Sequence, residues 1–116
     1  MAQHRPHVRP DLSEAQWQSQ VIQLAKLRGW AYYHTVDSRK SNRGFPDLVL
    51  VRERVIYAEL KTQNGRVRPE QKDWKDLLEL AGQEVYLWRP SDVEQVDLVL
   101  AIREAPGPWN PTEGAE

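Results

Sequence analysis

The chain has 116 residues, 40% of them hydrophobic and 28% charged, with 16 Lys and Arg against 17 Asp and Glu for a formal net charge of -1, and no cysteine. Such a length suits one domain around one core, the balance is that of an ordinary soluble globular chain, and the lack of Cys excludes a disulfide framework or a thiolate metal site. No apolar run approaches a membrane span and no basic-then-apolar leader marks the start, so a reducing, cytoplasmic setting is expected, with no membrane partner.

Residues 1–10, MAQHRPHVRP, show no periodicity and are expected to form a flexible arm, in which His4 and His7 are given no role. The domain proper is expected over 11–103. Ser13 with Gln16 three residues on is a capping-box pattern, Trp17, Val21, Leu24 and Ala25 recur at helical spacing, and Gly29 supplies a stop, so a helix is predicted between them. Glu14 lies one turn before Trp17 and complements the helix dipole. The stretch 30–36, WAYYHTV, is aromatic and β-branched enough for a first strand, where His34 reads as a packed or hydrogen-bonded residue. The polar loop 37–43, DSRKSNR, leads into Gly44. Its Arg39, Lys40 and Arg43 are candidate phosphate contacts, and Gly44 would let a backbone approach closely.

Two apolar runs, 48–51 and 55–60, read as strands joined by Arg52-Glu53-Arg54 in a hairpin. Centring the turn on Glu53 sets Val51 opposite Val55, Val49 opposite Tyr57 and Asp47 opposite Glu59. Facing residues on one side of an antiparallel pair are about 4.5–5.5 Å apart at Cβ, and like charges there destabilise the sheet. A raised pKa on one acid would relieve the repulsion. A divalent cation shared by both is the more economical relief, since hard cations take carboxylate and carbonyl oxygens. Lys61, two residues after Glu59, falls on the same face by strand alternation.

Beyond the hairpin, Asn64-Gly65 marks a turn, Arg66 and Arg68 follow, and Pro69 fits the first position of a second helix with the stripe Trp74, Leu77, Leu78 and Ala81, ended by Gly82. Gln71 lies in its first turn on the inward side, where its amide would hold Lys61 or a water, or merely cap the helix. Residues 84–88 read as a fourth strand. Ser91 with Glu94 repeats the capping-box pattern ahead of a short final helix, although DLVLAI would also tolerate an extended form. Residues 104–116, Pro-rich and acidic, are expected to be a disordered tail apart from a docking of Trp109. Charge is unevenly spread: residues 39–75 hold ten Lys or Arg and five Asp or Glu, residues 76–116 two and nine. The basic half contains the acid pair, which suits a phosphate backbone.

Asp47 followed by Glu59-Leu60-Lys61 resembles the PD-(D/E)-x-K nuclease signature. With Gly44-Phe45-Pro46 before it and Gln71 after, the chain from about Ser13 to Leu100 resembles the VRR-NUC family, the virus-type replication-repair nucleases. That resemblance implies an α/β fold with a restriction-endonuclease-like αβββαβ core, a central mixed sheet flanked by helices. It implies Mg²⁺ or Mn²⁺ held by Asp47, Glu59 and the main-chain carbonyl of Leu60, with Glu14 from the first helix completing the shell, and Lys61 and Gln71 as catalytic partners. Arg39, Lys40, Arg43, Gly44, Arg66 and Arg68 are then expected to bind the DNA backbone. Free-standing members resemble Holliday-junction resolvases, so branched DNA and a homodimer are implied. Cleavage of flaps or nicked duplex, a non-catalytic nucleic-acid-binding module and a plain interaction domain are the alternatives.

Overall fold

Ser13 opens the first helix as its pattern predicts: Ser13 Oγ accepts from the Gln16 backbone N–H at 3.1 Å, and Gln16 Oε1 accepts from the Ser13 N–H at 2.9 Å. In the computed structural model, which describes residues 8–35 and 43–103, this helix is α1 (Glu14–Leu27). It is followed by β1 (Ala31–His34), β2 (Leu48–Val51), β3 (Val55–Leu60), α2 (Pro69–Leu80), β4 (Glu84–Trp88), a 3-10 turn (Pro90–Asp92) and α3 (Val93–Ala101). The order of elements agrees with the expectation. Arg39, Lys40, His4, His7, Trp109 and the whole tail expected at 104–116 lie outside the described residues. Val8, inside the expected arm, packs against the core, and Leu12 is part of it.

The four strands form one mixed sheet in the order β1-β2-β3-β4, with β1–β2 and β2–β3 antiparallel and β3–β4 parallel. The hairpin register is the one counted from Glu53, with Val51 opposite Val55 and Val49 opposite Tyr57. The parallel step requires a crossover, which α2 supplies. One sheet face carries Leu48, Leu50, Ile56, Ala58, Leu60 and Trp88, all fully buried with Trp17, Val21 and Ala25 of α1 and Val96 and Leu100 of α3. Burying each large side chain of this set stabilises the fold by about 1.5–3 kcal/mol.

The opposite face is only partly covered. The stripe expected on α2 is not a buried one: Leu77 is 58% exposed, Leu78 is half-buried, and the helix has no fully buried residue. It is held instead through Trp74, whose ring meets the edge of Phe45 at a centroid distance of 5.1 Å, while Phe45 in turn meets Tyr57 at 6.1 Å. Two aromatic edge contacts thus stand where the stripe was expected to bury Leu77.

The capping box expected at Ser91 and Glu94 does not form. Pro90–Asp92 is a 3-10 turn, the Ser91 N–H donates to Gln63 Oε1, and Asp92 Oδ2 accepts from the Arg89 N–H at 2.8 Å. Arg52 and Arg54, counted in the basic half, face the end of the sheet opposite Asp47. Both guanidinium groups lie against Trp30, at 4.5 and 5.2 Å from its ring. Arg52 donates to the carbonyls of Arg28, Leu100 and Ile102, and Arg54 to those of Val99 and Ile102 and to Glu84 at 2.7 Å. These cations satisfy the unpaired carbonyls at the end of α3.

Candidate active site

Three strand ends and two helix starts meet at one place. β1 ends at His34, β2 starts after Asp47 and β3 ends before Lys61, while the first turns of α1 and α2 stand on either side. Between them is a cleft of about 590 Å³, with Glu14, Gln18 and His34 on the α1 side, Arg68, Glu70 and Gln71 on the α2 side, and Arg43, Gly44, Asp47 and Lys61 among its lining.

The loop that delivers Asp47 is fixed by Gly44. Its φ is +91°, a left-handed conformation that side chains disfavour, and a Cβ there would stand 2.5 Å from the Glu70 carbonyl carbon and oxygen. The close backbone approach that the glycine allows is therefore to α2 of the same chain. Thr35 holds the loop from the other side, its N–H donating to the Asp47 carbonyl at 2.9 Å and its hydroxyl to the Pro46 carbonyl at 3.0 Å.

The β2–β3 ladder stops at Leu48 opposite Ala58, one pair short of Asp47 and Glu59. Asp47 instead turns its side chain to the end of β3, where Oδ2 accepts from the Leu60 N–H at 2.8 Å. The two acids remain neighbours. Burial first, then the Asp47 charge and a hydrogen-bonding contact with Asp47, push the Glu59 carboxyl up to about 9, with Lys61 pulling the other way. Glu59 is only 5% exposed and Lys61 8%, with Glu59 Oε2 and Lys61 Nζ 3.9 Å apart.

Gln71 contacts Glu59 rather than Lys61. Its Oε1 accepts from the Arg68 N–H at 2.9 Å and its Nε2 donates to Glu59 Oε2 at 2.8 Å, so one amide caps α2 and tethers the acid. The remaining oxygen, Glu59 Oε1, is buried without a hydrogen-bond partner among the described residues. An orphaned buried acceptor costs about 1–3 kcal/mol, so it calls for an explanation. When both acids are ionised, Asp47 offers it only another acceptor. A shared proton or a cation is what such a pair accommodates, and an all-oxygen donor set suits a hard divalent ion.

Glu14 lines the cleft and its charge reaches Glu59, but among the described residues no three His, Cys, Asp or Glu side chains are gathered closely enough to form a ready metal cluster. Arg43 and Arg68 line the cleft; Arg66 is exposed on the loop before α2 and is not part of the lining. Gln18, Thr35 and Glu70 line it without having been singled out beforehand. Gln18 had a visible signal, its position four residues after Glu14, which shares a helix face with it. Thr35 had none, because its task depends on which carbonyls the folded loop brings beside it.

A four-stranded mixed sheet flanked by helices, with two acids and a lysine at its strand ends, makes this a mixed α/β domain. The model of the VRR-NUC domain matches residues 3–92, and the chain belongs to that family. Among solved structures, the chain is similar to a "VRR_NUC domain protein" at 19% identity and a TM-score of 0.63, covering 77% of this chain and 86% of that one. It is also similar to a "VRR_NUC domain" at 20% identity and a TM-score of 0.61, covering 78% and 97%. At these identities the likeness shows the fold. No curated protein matches the sequence.

Proposed function

We propose that this domain is a metal-dependent endonuclease that hydrolyses DNA phosphodiester bonds. The single observation carrying the reading is the buried Oε1 of Glu59, without a hydrogen-bond partner among the described residues, next to Asp47, which lines the cleft together with Lys61. Asp47, Glu59 and the Leu60 carbonyl would hold Mg²⁺ or Mn²⁺, with Glu14 drawn in as an outer ligand. When bound, such an ion lowers the pKa of a coordinated water and offsets charge developing on the phosphate.

The chain's own residues do the rest. Lys61 presents an ammonium to the attacking water or a phosphate oxygen and stabilises charge in the transition state. Gln71 keeps Glu59 turned toward the site through its two bonds. Arg43 and Arg68 bind the phosphates that enter the cleft, and Arg39, Lys40 and Arg66 extend the contact along the strand. Water attacks phosphorus, one P–O ester bond breaks, and the leaving oxygen takes up a proton.

The substrate we propose is branched DNA such as a Holliday junction, cut by a homodimer whose two sites act on two strands. What supports the pairing is β1, an edge strand, together with Tyr33, Val51 and Val55 exposed on the open sheet face. Incubation of the protein with a labelled four-way junction, a flap and a linear duplex tests the reading. Cleavage with Mg²⁺ or Mn²⁺, abolished by chelator and by Lys61→Ala, is expected. Metal-independent binding without cutting would replace it with the binding-module alternative.

A further inference from the structure

Lys61 carries a compact charge on a flexible four-carbon stem, so the place of its ammonium depends on what stands beside the stem. On one side is the turn Thr62-Gln63-Asn64-Gly65, closed by the Gly65 N–H donating to the Thr62 carbonyl at 3.2 Å. A Cβ built on Gly65 would lie 3.6 Å from Lys61 Cδ, ordinary van der Waals contact, so the turn is a wall next to the stem. The backbone of Lys61 is held at the end of β4, its N–H donating to the Trp88 carbonyl at 3.0 Å.

The residue after Trp88 is Arg89. Its Nη1 donates to three carbonyls of that turn, Thr62 at 2.8 Å, Gly65 at 2.9 Å and Gln63 at 3.2 Å. Solvation alone does not require this. Thr62, Gln63 and Gly65 are half-buried, and water satisfies carbonyls of such a turn nearly as well as a side chain does. What water does not do is tie both ends of the turn to β4 through one charged donor, whose bonds are stronger than those between neutral groups. Gln63 adds a second tie, donating from Nε2 to Ser91 Oγ and accepting the Ser91 N–H at Oε1, both at 3.0 Å. Arg89 is not among the residues lining the cleft, so it grips the turn from behind.

We infer that Arg89 is a positioning residue for Lys61: by gathering the carbonyls of Thr62, Gln63 and Gly65 it fixes the wall beside the lysine stem, and with it the direction from which the ammonium meets the attacking water or the phosphate. The inference rests on the nuclease reading above.

The test is steady-state cleavage in Mg²⁺, by the full chain, of whichever labelled junction, flap or duplex the wild-type protein cuts, with melting temperatures beside it. Arg89→Met keeps the stem and removes the donors. Its kcat, corrected for folded fraction, is expected to fall about 10- to 100-fold with KM within about twofold, as for a misplaced catalytic group. Arg89→Lys should restore kcat to within about threefold of wild type, because one ammonium carries three donors. Arg89→Gln, milder because it keeps an amide donor, should fall between the two and supplies a folded variant if Arg89→Met does not fold. Arg54→Ala, which loses stability at the far end of the sheet, is the control and should keep its kcat. An unchanged kcat, a raised KM with kcat kept, a loss that Arg89→Lys does not repair, or a loss that vanishes on correction for folded fraction would overturn the inference while leaving the nuclease reading intact. Wild-type protein that cuts no DNA in Mg²⁺ or Mn²⁺ would remove both.

Discussion

Gln71 and Glu59 are joined by one hydrogen bond of 2.8 Å that links the first turn of α2 to the last turn-in of β3. Because the other end of the Gln71 amide is held by the Arg68 N–H, its NH₂ has a fixed direction, and Glu59 is its target. Gln71→Leu removes both bonds and leaves a second carboxylate oxygen unsatisfied. Cleavage is expected to fall about 10- to 100-fold, as for the loss of other groups that orient a metal ligand. Gln71→Glu keeps the helix cap but sets a third acid against Glu59, and should lose at least as much activity at neutral pH. Parallel kinetics and melting curves check the pair.

The raised pKa of Glu59 gives a pH dependence with a definite sign. Its carboxyl titrates near 9 in the folded metal-free protein and near the ordinary 4.5 when unfolded. Between those values the native state binds the extra proton, so stability falls as pH rises. The melting temperature without metal is expected to drop across this window, and Glu59→Gln should flatten the drop. Added Mg²⁺ or Mn²⁺ should reverse it at high pH by replacing the proton.

Gly44→Ala places a Cβ against the Glu70 backbone at 2.5 Å on a residue whose φ is +91°. The loop that would have to yield is the one that carries Asp47. A destabilisation of about 1–3 kcal/mol is expected, with activity falling further than stability alone explains. Thermal melts and cleavage rates at a temperature where the variant is folded separate the two effects.

At the far end of the sheet, Arg54 and Glu84 form a buried pair with side chains 10% and 7% exposed. Arg54→Ala would leave that buried carboxylate with the Tyr86 hydroxyl but no cation and free the Val99 carbonyl, costing about 3–5 kcal/mol. Because the hairpin is remote from the cleft, the folded fraction should cut DNA at the wild-type rate. Chemical denaturation and rates corrected for folded fraction read this out.

Much of this arrangement was legible in the residues. The hairpin register followed from counting outward from Glu53, and the capping bonds of Ser13 and Gln16 from their spacing. Local patterns carried both. The α2 stripe misled because helical periodicity marks a potential buried face, while the amount of cover depends on where the helix crosses the sheet. Trp74 found Phe45, and Leu77 found solvent. Likewise, Arg52 and Arg54 counted toward a basic half, yet their destination was fixed by where α3 ends, some fifty residues away in the chain. The two-residue period set Asp47 opposite Glu59, but the ladder ends one pair earlier, and Asp47 reaches the end of β3 through the Leu60 N–H, a bond the period does not give.

The account stands on Asp47 and Glu59 jointly holding a divalent ion. Calorimetric titration of Mn²⁺ into the metal-free protein at pH 8, against Asp47→Ala and Glu59→Ala, measures this most directly. Saturable binding with proton release, lost in either variant, is the predicted result. Wild-type protein that binds no Mn²⁺, or variants that bind it as well as wild type does, would contradict it.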